Sequence, residues 1–400
     1  MIIHFSRLVF HGMIHPMLYR KEYTKIQTAL TRNPICYLAG PRQVGKTTLA
    51  RQFLNPDSSG YFDLEDPASS ARLEAPKLAL NQDLPLTVID EIQIRPDLFS
   101  LLRVLADAPD RITRWLILGS ASPGILKGVA ESLAGRVEMV ELSGLSWNET
   151  AHKDWKSLLF RGGFPRSWLA TTDTDSLEWR RQFITTILSR DLPGLGVQLP
   201  LPTLQRLWAM MAHWHGQIWN AAEPARTLGV SETTIHRLTD FFEGLYFIRQ
   251  LRPWHSNSNK RQIKRPKLYI RDSGLCGVTL GIKSFDELVS HPKGGALWEG
   301  FVIEELIRHY QPQEAWFWAT HNGAELDLLL IKDGKRLGFE IKLSDAPRLT
   351  PSMKIALTEL ELHSLTVIHG GNHTWQLADS ITACPLGAIV KADLQSTNQD

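Results

Sequence analysis

Residues Gly40-Pro41-Arg42-Gln43-Val44-Gly45-Lys46-Thr47 spell G-x-x-x-x-G-K-[ST] without a mismatch. An apolar run, Ile35-Cys36-Tyr37-Leu38, leads into the octet, and a helix-forming stretch, Thr48–Leu54, follows it. Strand, glycine loop and helix in that order are the setting of a phosphate-cradling loop. Gly40 and Gly45 let the backbone bend so that its N–H groups point inward at phosphate oxygens. Lys46 would neutralise the β- and γ-phosphates, and the Thr47 hydroxyl would ligate Mg²⁺. Pro41, Arg42, Gln43, Val44 and Thr48 complete the cradle, so ATP and Mg²⁺ are the expected cofactors.

Four more strand-like runs follow at βα spacing: Gly60–Leu64, Leu86–Ile89, Trp115–Leu118 and Val137–Leu142. Short strands alternating with helices predict an α/β domain, a parallel sheet covered on both faces. The Leu86–Ile89 run ends in Asp90-Glu91. Asp90 would hold Mg²⁺ through water and Glu91 would orient the attacking water. The next run ends at Gly119-Ser120; Ser120 is placed either to sense the γ-phosphate or simply to cap a turn. Arg136 stands directly before the fifth run, where AAA-type ATPases often carry an arginine finger acting on a neighbour's nucleotide; a surface arginine is the plainer reading.

Four hundred residues allow several domains and an ample core. A formal net charge of +2 excludes a global polycation, so any nucleic-acid site is a local patch. Cys36, Cys276 and Cys384 lack metal spacing and suit a reducing, cytoplasmic setting. Residues 1–16 read as a leader, with Met13 and Met17 as alternative starts, and no stretch is long and apolar enough to span a bilayer.

Several segments now carry a resemblance. The octet, Tyr61–Pro67, Asp90-Glu91-Ile92-Gln93, Leu118-Gly119-Ser120, Ser132–Arg136 and Glu141–Glu149 resemble, in order, a widespread prokaryotic family of AAA-type P-loop ATPases. Members carry a C-terminal domain resembling PD-(D/E)XK nucleases. The similarity runs from about Leu18 to Thr374. Gly144 departs from it, standing where members commonly have proline. The resemblance implies ATP binding and leaves the cellular task open.

Gly162-Gly163-Phe164-Pro165 breaks the chain after the ATPase segment, and Pro193-Gly194 marks a further boundary. Ala221–Thr227, a turn at Leu228-Gly229-Val230, and Ser231–Glu243 read as helix-turn-helix, with Ser231 as cap. Val230, Ile235, Leu238, Phe242 and Leu245 would face the core; Glu232, Thr233, His236, Arg237 and Asp240 would face out. The basic run Arg249, Arg252, Lys260, Arg261, Lys264, Arg265, Lys267 and Arg271 contains no acid. A wing of that charge could track a phosphate backbone or dock on protein.

Ala324–Ile331 and Leu337–Leu343 alternate around Asp333-Gly334, a two-residue hairpin turn. That register sets Leu328 against Phe339, Leu326 against Ile341, Asp327 against Glu340 and Glu325 against Lys342. Opposed acids weaken a sheet unless a cation or a raised pKa compensates. Asp followed by Glu-x-Lys is the metal-nuclease arrangement: Asp327 and Glu340 would hold Mg²⁺, and Lys342 would position water or stabilise charge at phosphorus. Glu299 resembles the family's helix acid, with Glu304 and Glu305 as weaker candidates. A charged solvent-facing sheet is the alternative.

The expected organisation is therefore a leader (1–16), an AAA-type ATPase domain (17–150), a helical lid (151–195), a winged-helix-like domain (196–275), a nuclease-like domain (276–375) and a tail (376–400). The expected function is Mg-dependent ATP binding and hydrolysis coupled to DNA processing. The alternative is a regulatory ATPase whose C-terminal module binds a partner without nuclease activity. Candidate partners are ATP, DNA, and a second copy or another protein, with no membrane.

Overall fold

The computed structural model describes residues 7–10, 13–16, 18–80, 84–119, 128–129, 131–150, 154–255 and 263–390. They form two compact units, residues 1–145 with 149–152, and residues 146–148 with 153–400. Strands β1 (Arg7–Phe10) and β2 (Met13–Pro16) pair as an antiparallel hairpin within the expected leader.

The first unit carries β3 (Ile35–Ala39), β4 (Tyr61–Asp63), β5 (Leu86–Asp90), β6 (Arg114–Gly119) and β7 (Val137–Glu141). All are parallel, in the order β4-β5-β6-β3-β7. Each begins and ends within a residue or two of its apolar run. Strands β3, β5 and β6 are buried on both faces, as burial between helix layers requires, whereas the edge strand β7 leaves Met139 and Glu141 exposed. The helix Glu22–Arg32 buries Ile26 and Ala29 against β3 and β7. Strand β6 lies between β3 and β5, which separates the glycine loop from Asp90-Glu91 by one strand.

The second unit opens with helices Trp155–Arg161 and Pro165–Trp168. Between them Gly162 has φ +76° and touches Asp272 so closely that any Cβ would collide with its carboxylate. That explains the break read at Gly162-Gly163. Helix Asp173–Thr186 runs on through a π-helical turn, Ile187–Asp191, and a last turn, Leu192–Gly194. The helical run ends there, at the Pro193-Gly194 pair read as a boundary. Helix Leu201–His213 comes next.

Strand β8 (Gln217–Ile218), helices Ala222–Leu228 and Glu232–Gly244, and the hairpin of β9 (Ile248–Leu251) and β10 (Lys267–Ile270) complete the middle segment. Gly229 turns the helix pair at φ +68°, and the Ser231 hydroxyl accepts from the Thr234 amide at 3.1 Å. Ile235, Leu238, Phe242 and Leu245 are buried and Val230 is half-buried, while the five expected outward residues are exposed.

The last sheet holds β11 (Glu314–Ala319), β12 (Glu325–Lys332), β13 (Lys335–Lys342), β14 (Ser364–His369), β15 (Trp375–Ala378) and β16 (Ile381–Pro385). Its order is β11-β12-β13-β14-β16-β15, with β13, β14 and β16 parallel. Leu328 opposes Phe339 and Lys332 opposes Lys335, the register set by a turn with positive φ at Asp333 and Gly334. Helices Gly294–Tyr310 and Pro351–Glu359 pack on β12 and β13. The residues expected as a tail instead supply β16, whose Ile381 and Ala383 join the core with Leu326, Met353 and Val367.

Candidate functional site

The glycine loop leaves β3 and closes on itself. Gly45 has φ +102° and Gln43 φ +59°, so two residues in the left-handed region shape the bend. A Cβ on Gly40 would lie 2.2 Å from the Leu142 carbonyl oxygen, a backbone atom, so only glycine fits. Lys46 is buried, and its ammonium donates to the carbonyls of Gly40 and Pro41 at 2.9 Å each. Burial lowers its pKa to about 8, against the opposing pull of Glu91 and Asp90.

Asp90 is buried at the end of β5. Burial raises its pKa, while a hydrogen bond from the Thr47 side chain opposes the rise. Tyr61 donates to the same carboxylate at 3.4 Å. Thr47 and Asp90 thus form a hard-oxygen pair of the kind Mg²⁺ takes. Glu91 sits in the left-handed region at φ +57°, its carboxylate held by the Gln93 amide. Ser120 lies outside the described residues.

Arg20 was not singled out from the sequence. It is buried, donates to the Val44 carbonyl at 3.0 Å and the Ser143 carbonyl at 2.5 Å, and pairs with Glu149 at 2.9 Å. One guanidinium therefore ties the glycine loop to the chain beyond β7. Nothing in local spacing announces a contact across so long a separation.

Arg136 is far from its own loop. Its carbonyl accepts from the Ile35 amide at the start of β3, one strand length, about 13 Å, from the loop at the other end. Its guanidinium grips Asp107 through bonds of 2.6 and 2.7 Å. Action on a nucleotide would have to be on that of another copy.

In the second unit a separate cluster forms. Glu299 on the helix Gly294–Tyr310, Asp327 on β12 and Glu340 on β13 gather around two lysines. Lys267 reaches Glu299 at 3.3 Å and Asp327 at 3.7 Å; Lys342 reaches Glu340 at 2.7 Å and Asp327 at 3.9 Å. Asp327 also accepts from the Ile341 amide at 2.8 Å, and Tyr269 donates to Glu299. Burial, then Asp327, raises both Glu299 and Glu340 to about 7. Burial disfavours the Lys267 and Lys342 ammoniums, yet the surrounding carboxylates outweigh it and raise both.

The expected metal ligands Asp327, Glu340 and Glu299 do come near one another, but they do not fit a divalent ion as arranged. Two ammoniums already stand among them, Lys267 between Glu299 and Asp327 and Lys342 beside Glu340 and Asp327. Among the described residues no group of three His, Cys, Asp or Glu could hold a metal ion. Lys342 binds the acids of its own cluster rather than Glu325, which is exposed and whose backbone N–H donates to, and carbonyl accepts from, the Ser352 hydroxyl.

The basic run is also partly consumed. Arg249 and Arg271 both pair with Glu304. Glu305 accepts from the Trp147 amide and pairs with Arg308. Arg252, Lys264 and Arg265 remain exposed, and Lys260 and Arg261 lie outside the described residues.

Residues 32–151 match the AAA domain family. Residues 152–286 and 294–389 match two domains of unknown function, DUF8612 and DUF4143. Uncharacterized proteins of Mycobacterium bovis and Mycobacterium tuberculosis are each 45% identical over 371 residues, covering 93% of this chain and 84% of theirs. The chain belongs to their family. Its first unit is an AAA-type P-loop domain, with the parallel sheet and loop described above. Among solved structures it is similar to the Walker-type ATPase of Pyrococcus abyssi, at 15% identity over 65% of this chain and 95% of that one, TM-score 0.45. It is also similar to the DNA clamp loader delta protein of Bacillus subtilis, at 14% identity over 56% and 88%, TM-score 0.24. Likenesses this distant say nothing of activity. No helix among the described residues is long and apolar enough to cross a membrane.

An ammonium with a pKa of about 8 predicts a linked proton. A triphosphate favours the charged form, so ATP binding near pH 8 should take up a proton and weaken as pH rises further. Calorimetry in buffers of differing ionisation enthalpy checks this. Buffer-independent heats at pH 8 would contradict it.

Proposed function

We propose that the chain binds ATP with Mg²⁺ and hydrolyses it, and that the second unit transmits this cycle to a bound partner without cleaving nucleic acid. The observation that carries the first part is the buried Lys46 ammonium resting on the Gly40 and Pro41 carbonyls. Phosphate oxygens would replace those two carbonyls at little reorganisation cost. Thr47 and Asp90 would hold Mg²⁺, which supplies Lewis-acid charge to the phosphates when bound. Glu91 would orient water once released by Gln93, and Ser120 would sense the γ-phosphate. Arg136 would leave Asp107 to serve a neighbouring copy, making self-association part of turnover.

The second part is supported by the lysine-neutralised carboxylates of the second unit. Its winged-helix-like segment keeps Arg252, Lys264 and Arg265 exposed, so DNA contact through phosphates remains the reading for the partner. A cytoplasmic setting fits the three buried, unpaired cysteines.

Plasmid incubated with Mg²⁺ tests the division of labour. We expect no cleavage by the wild type, with ATP turnover lost in Glu91→Gln and DNA binding that weakens steeply with salt. Mg-dependent nicking that disappears in Asp327→Ala would restore the nuclease reading.

A further inference from the structure

Three carboxylates and two ammoniums leave the cluster of the second unit with one negative charge beyond those balanced internally. The cation between Glu299 and Asp327 comes from outside the sheet that bears Asp327. Lys267 opens β10, the second strand of the hairpin, and its side chain is buried. Tyr269, two residues on, shares its face by the alternation of a strand and also bonds Glu299.

The delivery is rigid. Buried His215 accepts from the Ile270 amide at 3.0 Å through Nδ1 and so donates from Nε2 to the Ala296 carbonyl at 3.0 Å. This one imidazole bolts β10 to the helix that carries Glu299. Gly300 is needed there, because a Cβ would lie 2.6 Å from the His215 ring. On the far side, the buried Glu340 Oε2 has no hydrogen-bond partner.

We propose that the Lys267 ammonium is the resident cation of this site, filling the position between Glu299 and Asp327 that a metal-dependent module would give to a divalent ion. The pair Glu299 and Asp327 then takes its cation from the chain itself and has no divalent-ion requirement. This inference is independent of ATP hydrolysis and of what the unit binds.

The test is thermal unfolding of the full chain without nucleotide, in EDTA and in Mn²⁺. The wild type should unfold at the same temperature in both. Lys267→Met should unfold several degrees lower in EDTA, because two buried carboxylates lose their counter-ion, and Mn²⁺ should restore it. The double variant Lys267→Met with Glu299→Gln removes one charge of each sign; it should regain stability and lose the Mn²⁺ response. Should Lys267→Met not fold, the double variant still must, and its failure to fold overturns the proposal. Two other results overturn it: Mn²⁺ stabilisation of the wild type that vanishes in Asp327→Asn, or a Lys267→Met protein indifferent to Mn²⁺.

Discussion

Lys46→Ala should lower ATP turnover by about 100-fold or more, the loss seen when one preorganised donor is removed from developing charge. The ammonium is buried among backbone carbonyls, with Asp90 and Glu91 close enough to raise its pKa against burial. Alanine removes the charge and leaves the Gly40 and Pro41 carbonyls without their donor. Both binding and turnover should fall, whereas Glu91→Gln should keep binding and lose turnover. A fluorescent ATP analogue measures the first and phosphate release the second, with circular dichroism to confirm the fold. Wild-type turnover in Lys46→Ala would end the ATPase assignment.

Glu304→Ala should lower the stability of the second unit by about 3–5 kcal/mol, the usual cost of breaking a buried ion pair from one side. At roughly 2–4 °C per kcal/mol for a unit of this size, the melting temperature should fall by about 6–20 °C. The carboxylate is buried and holds both Arg249 and Arg271, whose charges would lose it as a counter-charge. Burial alone would raise its pKa, but Arg249 and Arg271 outweigh it and hold the group at about 2. A depressed carboxylate stabilises the fold above the unfolded value near 4.5 and loses that contribution as pH falls toward 2. Glu299 and Glu340, raised to about 7, act with the opposite sign: their contribution is complete below 4.5 and lost as pH rises through 7. Denaturation followed from pH 2 to 8 checks both limbs. An unchanged melting temperature in Glu304→Ala would show that the triad carries no stability.

The legible parts of this protein were those written in short windows. The strand before the loop, Gly45 at positive φ and Asp90-Glu91 each follow from a few neighbouring residues. So does the hairpin turn at Asp333-Gly334, which set the pairing of Leu328 with Phe339. The charged clusters were misread for the opposite reason. Arg249, Lys267 and Arg271 look like one basic stripe in sequence, yet each is satisfied by an acid of the later helix or sheet. Linear charge patterning cannot tell a cation bound for solvent from one bound for a buried carboxylate. Likewise residues 376–400 were expected as a tail, but β16 completes a sheet whose neighbour is β14.

By itself, then, the amino-acid order determined the parallel α/β sheet, the phosphate-cradling bend and the acids at the tip of β5. Short continuous apolar runs and glycine's left-handed backbone act locally and need no distant partner to be recognised. Tertiary structure alone decided that Arg20 braces the loop, that Arg136 bonds Asp107 away from it, and that Lys267 and Lys342 stand among Glu299, Asp327 and Glu340. Those outcomes follow from where buried charge finds its counter-charge, and low-dielectric pairing is settled by three-dimensional proximity, which residue spacing does not encode.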